Sequence, residues 1–158
     1  MNKVEPRLIS VDWGTTSLRC YLVASNGQIL GLHTSPDGIM SISDRNFGET
    51  LREAVTSWLS TYGDIPIYLS GMIGSRQGWH EAPYVPCPVH LDDLRARLIE
   101  LRHPGLPAIH LSPGADTRDE HGHPDVMRGE ETQIAGYLAG NPHWDGVICL
   151  PGTHTKWV

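Results

Sequence analysis

Apolar residues in the first part of the chain fall into short runs separated by polar turns. Arg7–Trp13, RLISVDW, is dense enough for a buried strand, and Ser17–Ser25 alternates Leu18, Cys20 and Leu22 against Arg19, Tyr21 and Val23. A turn signal at Ser25–Gly27 leads into Gln28–Ser35, so the period of two predicts a three-strand antiparallel meander. Over Asn46–Gly63 the period becomes helical: Phe47, Leu51, Val55, Trp58 and Leu59 share one face, and Gly63 supplies a stop. Ile65–Gly71 returns to strand. Gly71–Pro88 holds three glycines, three prolines and two large aromatics, a composition that favours neither helix nor strand for most of its length. Beyond it, Leu91–His103 predicts an amphipathic helix with Asp92 and Asp93 in its first turn, Pro107–Gly114 a strand, and Gly129–Gly140 a helix. Gly146–Val158 reads as an apolar run, a turn at Pro151–Gly152 and the start of another strand. Three meandering strands followed by alternating strands and helices predict an α/β fold, a mixed sheet with both faces covered.

A length of 158 residues bounds this to one domain, or one lobe of something larger. The formal charge is -6 with no basic run, which argues against a nucleic-acid or anionic-membrane surface and favours a small-molecule partner. Cys20, Cys87 and Cys149 are odd in number and widely spaced, so they read as reduced, packing cysteines and not as a disulfide or zinc framework. Neither a leader segment nor an apolar run of membrane-spanning length is evident, so the expected location is cytoplasmic.

Four stretches carry candidate chemistry. In VDWGTTS a strand delivers Asp12 to its end and Gly14 permits a turn whose N–H groups face phosphate oxygens. Thr15, Thr16 and Ser17 add hydroxyls, and Asp12 is placed to hold Mg²⁺ through water. The same residues suit an ordinary Asp-initiated turn equally well. LPGTHTKWV repeats the strand-Gly-Thr pattern and adds Lys156, which reads either as a phosphate-binding charge or as a solvated surface lysine. In MRGEETQ, Glu130 and Glu131 open a helix, where they either complement its dipole or accept a proton from a substrate hydroxyl. DEHGHPD, with His121 and His123, is better read as a polar loop than as a metal site, because no helical ligand spacing supports the latter.

Together, VDWGTTSLRCYLV, SGMIGSRQGWHEAPY, VMRGEETQIAGYLAG and LPGTHTKWV resemble the 2-dehydro-3-deoxygalactonokinase family, sugar-acid kinases of the sugar-kinase, heat-shock chaperone and actin superfamily. The resemblance covers essentially the whole chain. It implies a ribonuclease-H-like (actin-like ATPase) lobe in which the meander is flanked by helices. It also implies ATP with Mg²⁺ as phosphoryl donor, and 2-dehydro-3-deoxy-galactonate as acceptor at its 6-hydroxyl in galactonate catabolism. By the same resemblance Asp12 serves the metal, and Gly14, Thr15, Thr16, Gly152, Thr153 and Lys156 the nucleotide phosphates. Glu130 or Glu131 is then the base. The loop from Gly71 to Tyr84, with Gly74 and Ser75, walls the acceptor, and Arg76 or Arg128 pairs with the sugar-acid carboxylate. Trp79 either stacks on the sugar or plugs the structure.

Superfamily kinases have two lobes, and this chain reaches Val158 inside the second phosphate hairpin. The expectation is therefore a first lobe over residues 1–145 and the start of a second over 146–158, with an exposed C-terminal strand open to self-association. A non-catalytic lobe that binds sugar acid or nucleotide is the alternative function, and a metal-dependent hydrolase built on His121 and His123 is a third.

Overall fold

The computed structural model describes residues 4–152 and 154–158. In chain order its elements are β1 (Pro6–Trp13), β2 (Leu18–Ala24), β3 (Ile29–Ser35), α1 (Phe47–Tyr62), β4 (Ile67–Ser70) and a 3-10 turn (Met72–Gly74). There follow β5 (Tyr84–Pro86), α2 (Leu91–Ala96), β6 (Ile99–Leu101), β7 (Ile109–Leu111), β8 (Gly114–Arg118) and β9 (Pro124–Met127). The last elements are α3 (Glu130–Gly140), β10 (Cys149–Leu150) and β11 (Lys156–Trp157). A six-stranded mixed sheet runs β3-β2-β1-β4-β7-β6. The meander pairs antiparallel, β4 and β7 add in parallel, and β6 closes the edge antiparallel.

One face of this sheet is the core. Ile9, Val11 and Trp13 of β1 point the same way as Leu18, Cys20 and Leu22, Ile67 and Leu69, and Ile109 and Leu111, all buried under the Phe47, Leu51 and Val55 face of α1. Trp13 meets Phe47 edge to face with ring centroids 5.8 Å apart, and its indole N–H donates to the Asp37 carbonyl at 2.7 Å. Leu51 is fully buried in this cluster. Leu51→Ala should lower the unfolding free energy by about 2–5 kcal/mol in urea titration, and a loss below about 1 kcal/mol would contradict the assignment of this face as the core. Cys20 packs here as expected, with its thiol pushed up to about 12 by burial. Cys87 and Cys149, by contrast, are exposed, so the reading of all three cysteines as packing residues is corrected.

The other face is covered more loosely, by α2 and α3. It presents Ser10, Asp12, Tyr21, Tyr68, Ser70 and His110, none of them fully buried. α2 and the first half of α3 stand off it across a cavity of about 190 Å³. Side chains of this kind gain little from dry packing, so the face stays accessible.

Two further expectations change. The helix expected over Leu91–His103 ends at Ala96, and Ile99–Leu101 becomes strand β6. Leu91, Leu94, Leu98 and Leu101 fit a helix, but Ile99 and Leu101 alternating with Glu100 fit a strand, and pairing with β7 satisfies an otherwise bare sheet edge. The second change is a small sheet, β5-β8-β9, where the sequence suggested loops. His121 and His123 lie in its β8–β9 turn, where Asp119 accepts both of their backbone N–H groups at 2.8 Å. No described helix is long and apolar enough to cross a membrane.

Candidate active site

Three of the singled-out stretches meet at Gly71. β1 and β4 run parallel with Asp12 beside Ser70, so both strands end at the same level and the chain turns at Gly71. Gly71 has a φ of 92°, and a Cβ there would sit 2.8 Å from the Trp13 carbonyl oxygen and 3.4 Å from Asp12 Oδ1. Gly129, with a φ of 108°, lies directly over it: its Cβ would stand 3.1 Å from the Gly71 Cα. Two glycines thus bring the N-terminus of α3 down onto the ends of β1 and β4. The result is a cleft of about 180 Å³ lined by Ser10, Asp12, Tyr21, Ser70, Gly129, Thr132 and Gln133.

At the mouth of the first hairpin, Gly14 donates its N–H to the Ser17 carbonyl at 2.9 Å. The Gly14 and Thr15 carbonyls accept the N–H groups of Ile39 at 3.0 Å and Met40 at 3.2 Å. The turn is therefore held from behind by its carbonyls. Thr15 and Thr16 are exposed, and among the described residues nothing accepts their N–H groups. Gly14 is not in the left-handed region, and a Cβ on it would meet nothing closer than the Ser17 carbonyl oxygen at 3.7 Å, an ordinary contact. Asp12 is bonded to Arg19 at 3.1 Å, with the two side chains 34% and 48% exposed, a weak pairing in water that leaves Oδ1 available. An outward set of N–H and hydroxyl donors beside one carboxylate fits a polyphosphate carrying a divalent cation. Among the described residues no cluster of three or more His, Cys, Asp or Glu forms. Such a cation would accordingly rest on Asp12, phosphate oxygens and water, the partial protein coordination Mg²⁺ tolerates.

At the start of α3, Glu130 Oε2 accepts the Arg128 N–H at 2.9 Å. Glu131 is 5% exposed; its Oε2 accepts the Gly129 N–H at 2.7 Å and its Oε1 the Thr132 hydroxyl at 3.2 Å. Burial pushes the Glu131 carboxyl up to about 7, against the pull of those hydrogen bonds.

The loop after Gly71 divides into parts. Gly74 and Ser75 form the 3-10 turn and its end, with the Ser75 hydroxyl donating to the Met72 carbonyl at 2.7 Å. Arg76 is 87% exposed and only loosely paired with Glu81, at 3.5 Å. Arg128 lies inside: Nη2 donates to the Ala82 carbonyl at 2.8 Å, the guanidinium lies 4.3 Å from the centre of the Tyr84 ring, and Nε and Nη1 are buried with no acceptor among the described residues. Trp79 is packed against the main core and meets His103 edge to face at 6.0 Å, a plug position away from the cleft lining.

The second hairpin is not brought to Asp12. β10 and β11 pair with each other, and among the described residues none that lines the Asp12 cleft comes from 146–158. Lys156, expected on phosphate, is buried with its ammonium on the Asp125 carboxylate, which holds that carboxyl below the usual range. Gly152 is exposed in the turn, and Thr153 lies outside the described residues. Ser10, Tyr21, Ser70, Thr132 and Gln133 line the cleft without having been singled out. Their signal was present: Ser10 and Tyr21 are the polar positions of period-two strands, and Gln133 is three residues from Glu130.

A mixed sheet begun by an antiparallel meander, with its outward donor turn between β1 and β2 and an acid-bearing helix folded onto the strand ends, defines a ribonuclease-H-like lobe of the actin-like ATPase class. The model of the 2-keto-3-deoxy-galactonokinase family matches residues 12–158, and the chain belongs to that family. It is 37% identical over 150 residues to a Rhizobium meliloti (strain 1021) protein named as a 2-dehydro-3-deoxygalactonokinase, DgoK1, covering 94% of this chain and 48% of that protein. To the 2-dehydro-3-deoxygalactonokinase of Escherichia coli (strain K12) it is 33% identical over 152 residues, covering 96% of this chain and 49% of the other. A crystal structure from Sinorhizobium meliloti, titled as a protein of the same activity, superposes with a TM-score of 0.82 at 37% identity, over 96% of this chain and 49% of that one. The chain spans about half the length of the curated relatives it matches.

Proposed function

We propose that this chain supplies the first lobe, residues 1–145, of an ATP-dependent cytoplasmic kinase that phosphorylates 2-dehydro-3-deoxygalactonate at its 6-hydroxyl, with residues 146–158 opening the second lobe. The observation that supports this most is the convergence at Gly71 of the end of β1, with Trp13 and Asp12, and the start of α3. When bound, ATP supplies the γ-phosphoryl group and Mg²⁺ offsets the charge that builds on its oxygens. The Thr15 and Thr16 N–H groups and hydroxyls hold phosphate, and Asp12 holds the cation through water. Glu130 takes the proton of the acceptor hydroxyl onto its carboxylate. Arg76, exposed on the loop wall, meets the sugar-acid carboxylate, while Arg128, whose free N–H groups are buried, braces that wall against Tyr84 and Ala82. Self-association through the C-terminal strand belongs to the same reading, since Val147, just before β10, is 67% exposed and Trp157 of β11 is 71% exposed.

The test is a coupled ATP-consumption assay on the full-length protein. Saturable turnover with 2-dehydro-3-deoxygalactonate is expected, and turnover confined to a different sugar overturns the substrate assignment. Calorimetric binding of the sugar acid without phosphoryl transfer to any acceptor establishes the alternative, a non-catalytic binding lobe.

A further inference from the structure

Glu130 and Glu131 are neighbours in sequence, yet helix geometry sends them to different places. Three residues on from Glu130 is Gln133, which lines the Asp12 cleft. Three, four and seven residues on from Glu131 are Ile134, Ala135 and Leu138, which line a separate apolar groove of about 700 Å³ between α2, α3 and the small sheet. Glu131 is in the wall of that groove, whereas Glu130 is not; neither carboxylate is in the lining of the Asp12 cleft itself, and Glu130 stands beside its Gly129 edge with Oε2 on the Arg128 N–H at 2.9 Å. Both of its carboxyl oxygens are already engaged, by the Gly129 N–H at 2.7 Å and the Thr132 hydroxyl at 3.2 Å.

We infer that Glu131 is a positioning residue: its carboxyl fixes Gly129 against Gly71 and so sets where the Glu130 carboxylate stands relative to Asp12. The inference rests on the kinase reading above for its catalytic consequence, and on geometry alone for its structural one. The chain of contact is short. Glu131 holds the Gly129 N–H; Gly129 stacks on Gly71 with no room for a side chain between them; and Gly71 lies against the Trp13 carbonyl and the Asp12 carboxylate. Removing the carboxyl leaves the Gly129 N–H buried without an acceptor, so the turn that carries Glu130 has to move.

The titratable groups facing Glu131 are Cys87 and His90 across the groove and Glu130 on its own helix. None is a resident cation partner, so burial dominates and the carboxyl keeps its proton up to about 7, where an ordinary one ionises near 4.5. Between those values the folded chain holds a proton that the unfolded chain has released. Stability from this group is therefore present below the lower value and is lost as pH rises toward the upper one.

The test compares E131Q, E131A and wild type in the full-length protein by steady-state kinetics, by amide hydrogen exchange at Gly129 and by melting between pH 5 and 8. E131Q, which keeps an acceptor for Gly129, should hold kcat within about tenfold of wild type. E131A should lose about 100-fold in kcat with little change in KM, the scale expected of a lost supporting contact. The Gly129 amide should stay protected in wild type and E131Q and exchange faster in E131A, and the melting temperature of E131Q should rise relative to wild type as pH increases. Loss of turnover in E131Q as complete as in Glu130→Gln would make Glu131 the base and overturn the inference. Wild-type protection of the Gly129 amide in E131A would overturn it as well, whatever the kinetics. If wild type itself phosphorylates nothing, the kinase reading fails while exchange and melting still decide the role of Glu131.

Discussion

Glu130→Gln in the full-length protein is expected to lower kcat by about 10²–10⁴-fold, the range carried by a positioned general base, with sugar-acid and ATP affinities within a few-fold of wild type. The amide keeps the shape of the carboxylate and an oxygen to accept the Arg128 N–H, so the start of α3 stays in place. What disappears is the site for the acceptor's proton. Phosphoryl transfer through a loose transition state asks little bond-making of the protein, so the loss should appear in kcat and leave KM nearly fixed. Single-turnover quench experiments with pre-bound acceptor separate this from slow product release. An unchanged single-turnover rate would move the base elsewhere, and a parallel rise in both dissociation constants would show that the helix start had shifted.

Much of the fold was legible because its first half is encoded locally. Leu18, Cys20 and Leu22 alternate with the polar positions of β2, and Phe47, Leu51 and Val55 recur at helical spacing, so period alone separates strand from helix. Where both periods fit, context decided. Leu98 to Leu101 satisfy a helix face and a strand edge alike, and the unpaired backbone of β7 selected the strand. The small sheet was illegible for another reason: β8 and β9 read GADTR and PDVM, and Ala115 is the apolar residue buried there. β8 and β9 pair with each other across the turn, and β8 also pairs with a segment distant in sequence, Tyr84–Pro86; backbone pairing of this kind leaves little trace in composition.

The site was legible as chemistry and less so as geometry. VDWGTTS announced an Asp at a strand end followed by hydroxyl residues, and the structure adds that the turn's carbonyls are held by Ile39 and Met40 while Thr15 and Thr16 are exposed. Glu130 shares a helix face with Gln133, and Glu131 with Ile134 and Leu138, and it takes the cleft on one side and the groove on the other to give those faces different surroundings. Lys156 shows the opposite limit. Its surroundings depend on Asp125, 31 residues away, and no local pattern announces that ion pair.

Gly71→Ala should be the most damaging substitution of a single small residue in the cleft. Its φ of 92° costs a side-chain-bearing residue about 1–3 kcal/mol, and the added methyl would meet the Trp13 carbonyl oxygen at 2.8 Å, a backbone atom at the end of β1 whose side chain is fully buried in the core. The strain can be relieved by lifting Gly129 and the start of α3, or by displacing Asp12. Either movement separates the phosphate side of the cleft from Glu130, and a displacement of about 1 Å is enough for a roughly 100-fold loss of rate. A control isolates the steric part: Gly27 has a φ of 82° with nothing within 4 Å of the position a Cβ would take. Gly27→Ala should therefore carry a similar backbone cost in a urea titration and leave turnover of the full-length protein untouched. Equal loss of activity in the two variants would mean that global stability governs the rate. Loss confined to Gly71→Ala would tie it to the close approach of β1, β4 and the start of α3 at Gly71.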